Sequence, residues 1–297
     1  MKKILFNSVI FVLLAIIVSG CGASENDAAT DAYTDSNDED KVVKFGVPSW
    51  TSTVPPTKIA SLILEDMGYE VEEVEADAGA VYAGLARGDV DVFMDSWFPA
   101  QEHYIEEDYS DDIEDIATSY DKAGSGFAVP EYMEDINDVG DLIGREDEFN
   151  NEILSIGKGD PATENLDKVI DGYDLDVKQV NSSEGGMMAE VIRKMEKEEP
   201  VLFYGWHPHS MFNKYDVKLL TNEETPEWFK DSSVHVVVNK EWKKSNPEVY
   251  EFLQNWSIPL DDIEEMIRKI DEKEDPEEVA QEWIDDHQDE VDEMLGK

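Results

Sequence analysis

The sequence carries a single cysteine, Cys21, in 297 residues. One thiol cannot form a disulfide within its own chain. Basic residues are scarce too: 24 Lys and Arg stand against 71 Asp and Glu, for a net charge of −47. A chain so short of cations cannot cover phosphates, which argues against nucleic acid as a partner. Catalytic signatures are missing as well. There is no G-x-S-x-G elbow, P-loop or H-E-x-x-H, and nothing singles out a carboxylate pair for glycoside hydrolysis. The acids never fall into an ordered D-x-[DN]-x-[DN]-G calcium loop. No enzymatic activity, cofactor or metal is therefore expected.

What is present suffices for a core: 41% of residues are hydrophobic and 10% aromatic, over a length that suits one large domain or two lobes. The acidic excess would repel itself at low salt. It is tolerable where salt shortens the screening length to a few Å, so it reads as adaptation to a saline exterior.

Lys2 and Lys3 precede an apolar run, Ile4 to Val18, that ends in the small-residue stretch VSGC. The run is short for a membrane span and built like a secretory signal. It resembles a bacterial lipoprotein signal, which implies residues 1–21 as signal with Cys21 lipidated as a membrane anchor; a plain cleaved signal is the alternative. Residues 22–40 are small, polar and acidic and read as a flexible tether.

From Val42 the pattern becomes strand, helix, strand, helix, strand: VVKFGV, a helix from Pro56 to Met67, YEVEEVEA, AVYAGLARG closed by Gly88, and DVDVFMDSW. That order predicts an α/β fold with a parallel sheet, whose ligands bind beyond the carboxyl ends of the strands. The theme repeats in SGFAVPEYM, EILSIGKGD with a helix over Glu164–Ile170, LDVKQVNS, GGMMAEVIRKMEKE and VLFYGW. VHVVVNK, Val234 to Lys240, leads back to the first half, and a helical tail follows. The expected division is 41–123 with 235–297 as lobe I and 124–234 as lobe II. Trp228, Trp242, Trp256 and Trp283 read as packing residues.

Three segments share a form. PSWTS, DSWFPAQEH and YGWHPHSMF each place a tryptophan, Trp50, Trp97 and Trp206, at or just past the end of an apolar strand. An indole face attracts a cation by about 0.5 to 2 kcal/mol per contact. Three faces supply roughly 2 to 6 kcal/mol against the about 8 kcal/mol of a micromolar complex. Desolvation and hydrogen bonds to the ligand's other end must supply the rest.

KFGVPSW, DVDVFMDSWFP, SGFAVPEYM and YGWHPHSMF together resemble the glycine betaine and proline betaine binding proteins of ABC importers, over roughly residues 42 to 297. The resemblance implies a two-lobed, periplasmic-binding-protein-like type II fold with ligand in the interlobe cleft and a cage of Trp50, Trp97 and Trp206. It also implies an ABC permease as partner, a monomeric receptor and a place on the outer face of the membrane. The family holds the ligand carboxylate with backbone N–H groups of a turn, here GKGDPAT. Because Pro161 has no N–H, Ala162 and Thr163 are the expected donors; a plain helix cap by Asp160 is the alternative. Some relatives use a histidine shortly after the second cage tryptophan. Here Glu102 and His103 stand near that place, so either His103 turns in or the specificity departs from simple betaine; a plain surface position for Glu102 is the further alternative. His207 and His209 have metal-like H-x-H spacing but no third ligand, and His209 is expected near the pocket in a packing or hydrogen-bonding role. Choline, carnitine, ectoine or an amino acid remain as other solutes. An amino acid site usually needs an arginine, and none lies in the three tryptophan segments.

Overall fold

The computed structural model describes residues 41–225, 228, 229 and 232–297. Cys21 and the signal and tether expected over residues 1–40 lie outside them. The described strands are β1 (Val42–Val47), β2 (Glu70–Glu75), β3 (Val92–Phe98), β4 (Ile113–Ala123), β5 (Ser125–Pro130), β6 (Glu152–Ser155), β7 (Lys178–Asn181), β8 (Phe203–Trp206), β9 (Val217–Leu219) and β10 (Ser232–Asn239). They form two five-stranded sheets, ordered β2-β1-β3-β10-β4 and β7-β6-β8-β5-β9.

Both sheets follow one plan. In each, one strand runs against the other four: β10 pairs antiparallel with both β3 and β4, and β5 with both β8 and β9, while the remaining pairs are parallel. The parallel order expected for the first three strands is present, but each sheet is mixed. β4 was not anticipated, because IEDIATSYDKA lacks a clean period of two and buries its residues irregularly. Only Gly124 separates β4 from β5, so the chain passes from sheet to sheet there. Charge marks the edge: β2 reads EVEEVE and is mostly exposed, whereas β3 is buried from Val92 to Trp97.

Helices α1 (Val54–Asp66) and α2 (Ala78–Arg87) connect the first strands. α1 opens two residues before the expected Pro56, with Pro55 and Pro56 in its first turn, where a missing N–H is harmless. Asp77 caps α2 by accepting from the Ala80 N–H at 3.0 Å, and Gly88 closes it at φ 76°. A Cβ on Gly46 of β1 would lie 2.4 Å from Val81 Cγ1, so α2 approaches β1 only because that position is glycine. α3 (Pro161–Gly172) is longer than expected, starting at Pro161 behind the Asp160 cap. Next come α4 (Glu184–Met195) and α5 (Met211–Lys214). After β10 the tail forms α6 (Trp242–Ser245), α7 (Pro247–Gln254), α8 (Leu260–Asp271), α9 (Pro276–Asp286) and α10 (Gln288–Met294). α8 buries Ile263, Met266 and Ile267 at helical spacing, with acids in its first turn and Arg268 and Lys269 in its last. α8 and α9 pack against α1. Trp242, Trp256 and Trp283 are core residues.

Candidate functional site

The turn after β1, the end of β3, the start of α3 and the end of β8 meet at one cavity of about 500 Å³, counting its opening to solvent. Trp50, Trp97 and Trp206 all line it, with Tyr204, Trp228 and Phe229. Trp97 and Trp206 are buried. Among the described residues that line the cavity there is no Lys, Arg or His, and the one charged side chain is Asp160. Trp97 and Trp206 are each followed, two residues on, by a proline in a cis peptide bond, Phe98–Pro99 and His207–Pro208.

Each wall is held from behind. The Trp97 Nε1–H donates to Asp95 Oδ1 at 3.1 Å, and its backbone N–H donates to Gln101 Oε1 at 3.1 Å. Asp95 also accepts from the Tyr120 hydroxyl at 3.2 Å, and on Oδ2 from Ser52 at 2.7 Å and Thr53 at 2.8 Å. Burial pushes the Asp95 carboxyl above its ordinary range, and the four donors pull it partly back. Trp206 stacks on Tyr204 with ring centroids 5.3 Å apart, and His209 meets it edge-on at 4.7 Å. Trp50 leans on Phe93 at 6.4 Å. Trp228 carries Lys168 Nζ over its ring at 4.1 Å.

The other expected contacts separate. Ala162 lines the cavity, but its N–H already donates to Asp160 Oδ1 at 2.8 Å. Thr163 does not line it; its N–H and its hydroxyl both donate to the Asp160 carbonyl, at 3.0 and 2.7 Å. The helix N-terminus is thus capped by the protein's own acid, which itself faces the cavity. Burial and the nearby Asp95 raise the Asp160 carboxyl to about 7. His103 also lies outside the lining. Its side chain is 40% exposed, and its ring packs on Tyr104 at 4.1 Å. Of the residues that follow Trp97, Pro99, Ala100 and Gln101 line the cavity, and Gln101 Oε1 is held by the Trp97 N–H and by the Tyr82 hydroxyl at 3.0 Å. A one-turn spacing from Trp97 was the signal for it. Trp228, read from sequence as packing, also lines the cavity; no strand pattern in the sequence marks its segment.

His209 is buried behind Trp206 rather than in the lining. Its Nδ1 accepts from the Met211 N–H at 2.9 Å, which fixes the tautomer, so Nε2–H donates to Glu184 Oε1 at 3.1 Å. Glu184 is itself buried and also accepts from the Thr51 N–H at 3.1 Å and hydroxyl at 3.0 Å. His207 turns elsewhere, to Glu264 of α8 at 3.0 Å. The H-x-H pair therefore serves two different carboxylates, and among the described residues no group of three His, Cys, Asp or Glu could hold a metal ion. Lys214 adds a 3.3 Å ion pair to Asp271 of α8, which the Ser210 hydroxyl also meets.

The profile of the substrate binding domain of ABC-type glycine betaine transport systems matches residues 41–286. The chain belongs to this family. A glycine betaine/carnitine transport binding protein of Listeria monocytogenes is 31% identical over 110 residues, 37% of this chain and 36% of that protein, so the match spans about a third of that relative. The lactococcal OpuAC structure, closed and complexed with glycine betaine, aligns with a TM-score of 0.80 and 29% identity over 86% of this chain and 99% of that one. An ABC-transporter choline binding protein in complex with choline aligns at 0.81 and 27% over 88% and 93%. The two mixed sheets are accordingly the two lobes of a type II periplasmic-binding-protein fold.

Proposed function

We propose that this chain is the extracytoplasmic receptor of an ABC importer and that it captures a quaternary-ammonium osmolyte, glycine betaine or a close relative, for osmoprotection. The observation that carries this reading is the convergence of Trp50, Trp97 and Trp206 on one cavity that no basic side chain lines. A trimethylammonium group has no N–H to donate, so it needs apolar, electron-rich walls rather than acceptors. Trp228 and Tyr204 extend that wall. The ligand's polar end is served by Gln101: with Oε1 held by two donors, the NH2 end of its amide is the part that can meet a ligand oxygen.

Closure follows from the same contacts. Walls from both lobes enclose the ligand only when the lobes meet, and the bonds from Thr51 to Glu184 form in that state. The closed receptor then docks on its permease. Cys21, lipidated, holds the monomer at the outer face of the membrane through the acidic tether.

Asp160 favours a second reading within the class. A carboxyl facing the cavity, with the Ala162 and Thr163 N–H groups already bonded to Asp160, suits a ligand with a hydroxyl end, such as choline, better than one with a carboxylate. Calorimetric titration in molar salt with glycine betaine, proline betaine and choline tests both readings. One-to-one binding at micromolar affinity or better by at least one is expected. No heat with any of them, from folded protein, would overturn the proposal; the ranking of glycine betaine against choline decides between the two readings.

A further inference from the structure

We propose that Asp95, buried behind Trp97, is the residue that makes the cavity prefer a cation to an uncharged molecule of the same shape. The inference rests on the quaternary-ammonium reading above and names the group that enforces it.

Asp95 is fully buried. Each of its oxygens accepts two hydrogen bonds: Oδ1 from the Trp97 indole and the Tyr120 phenol, Oδ2 from the hydroxyls of Ser52 and Thr53. Four donors on four lone-pair sites suit an acceptor-only, ionised carboxylate, and they oppose the burial that pushes this carboxyl up. The indole N–H can only donate, so that side of the arrangement is fixed. None of the four donors carries a charge. A buried carboxylate ordinarily has a basic partner, because a lone charge in the interior is costly to hold. Here that partner is absent from the carboxylate's own hydrogen-bond set, and two of the residues that bind it, Ser52 and Trp97, line the cavity. The charge thus sits one side chain away from whatever the cavity holds.

Two effects follow, both favouring a positive ligand. A cation in the cavity supplies the missing counter-charge through a water-poor wall, where the interaction is weakly screened. An indole that donates its N–H to an anion is also more electron-rich over its face, which strengthens the cation–π contact. The second carboxyl within range, Asp160, faces the cavity directly and interacts with Asp95. It meets the ligand's other end and would tell a hydroxyl from a carboxylate, whereas Asp95 reads the charge of the head.

The test compares choline with 3,3-dimethylbutan-1-ol, which replaces the ammonium nitrogen with carbon, on wild type and Asp95→Asn. Asparagine keeps an oxygen for the Trp97 N–H, and thermal melts establish that the variant is folded. Asp95→Asn is expected to weaken choline by about tenfold or more and to leave the alcohol unchanged or tighter. An unchanged ratio of the two affinities in folded Asp95→Asn would overturn the inference while leaving the ligand class standing. Failure of wild type to bind choline or any other quaternary ammonium would instead overturn the reading beneath it. Should the variant not fold, wild type supplies the second measurement. A buried charge keeps the choline-to-alcohol ratio constant from about 0.1 M to about 2 M salt, and a ratio that collapses with salt would assign the selection to the screened surface acids instead.

Discussion

Glu184 accepts hydrogen bonds from both the backbone N–H and the hydroxyl of Thr51, at 3.1 and 3.0 Å, across 133 residues of sequence. Thr51 follows Trp50, and Glu184 also holds His209, which packs edge-on against Trp206. One buried carboxylate therefore ties together the supports of two cavity walls, one just past β1 of the first sheet and one at the end of β8 of the second. In the closing motion proposed above the Thr51 bonds form only when the lobes meet, so Glu184→Ala should act on release rather than capture. Dissociation measured by stopped-flow fluorescence is expected to accelerate by roughly tenfold, with association changed little. An unchanged dissociation rate would show that the contact does not hold the closed state.

Trp97→Ala and Trp206→Ala should each weaken a quaternary-ammonium ligand by more than about tenfold, from lost cation–π contact and lost burial. Trp228→Ala should cost less, several-fold, because Lys168 already occupies one face of that ring. Calorimetry on variants shown to be folded checks all three. Unchanged affinity in both Trp97→Ala and Trp206→Ala would remove the aromatic wall from the explanation.

Asp160 should make ligand preference depend on pH. Its carboxyl is raised to about 7. Below that value it is protonated and can donate to a ligand carboxylate; above it the charge repels one. Glycine betaine should therefore weaken relative to choline between about pH 6 and about pH 8, and Asp160→Asn should flatten that slope. Stability has the same origin. The folded chain holds a proton that the unfolded chain, with a carboxyl near 3.8, has already lost, so this group's contribution declines as pH rises from that value to about 7. Asp160→Asn should raise the melting temperature at pH 8 and not at pH 4. Equal slopes in wild type and variant would exclude Asp160 as the titrating group.

A net charge of −47 predicts that salt stabilises the fold. Raising sodium chloride from about 0.1 M to about 2 M should raise the melting temperature, since exposed acids repel over distances that salt shortens. A flat or falling melting temperature would contradict the saline reading of the composition.

The sequence made the tryptophan walls legible because Trp50, Trp97 and Trp206 end apolar strands, and strand ends are where an α/β fold opens a cleft. The alternating and helical periods likewise marked β1 to β3 and α8. What could not be read depends on distant pairing. β4 is strand-like only beside β10, Trp228 lies where the sequence carries no strand or helix period, and the Thr51–Glu184 contact joins residues with no local pattern in common. The GKGDPAT turn was ambiguous for a physical reason: the same N–H groups that could hold a ligand carboxylate are taken by Asp160, and only geometry distinguishes the two.

The most direct measurement is a crystal structure of the protein with choline or glycine betaine bound. The expected result places the quaternary nitrogen within about 6 Å of the ring centroids of Trp50, Trp97 and Trp206, with the lobes closed and Thr51 bonded to Glu184. A ligand bound elsewhere, or a nitrogen facing away from the indoles in this cavity, would contradict the tryptophan-walled site.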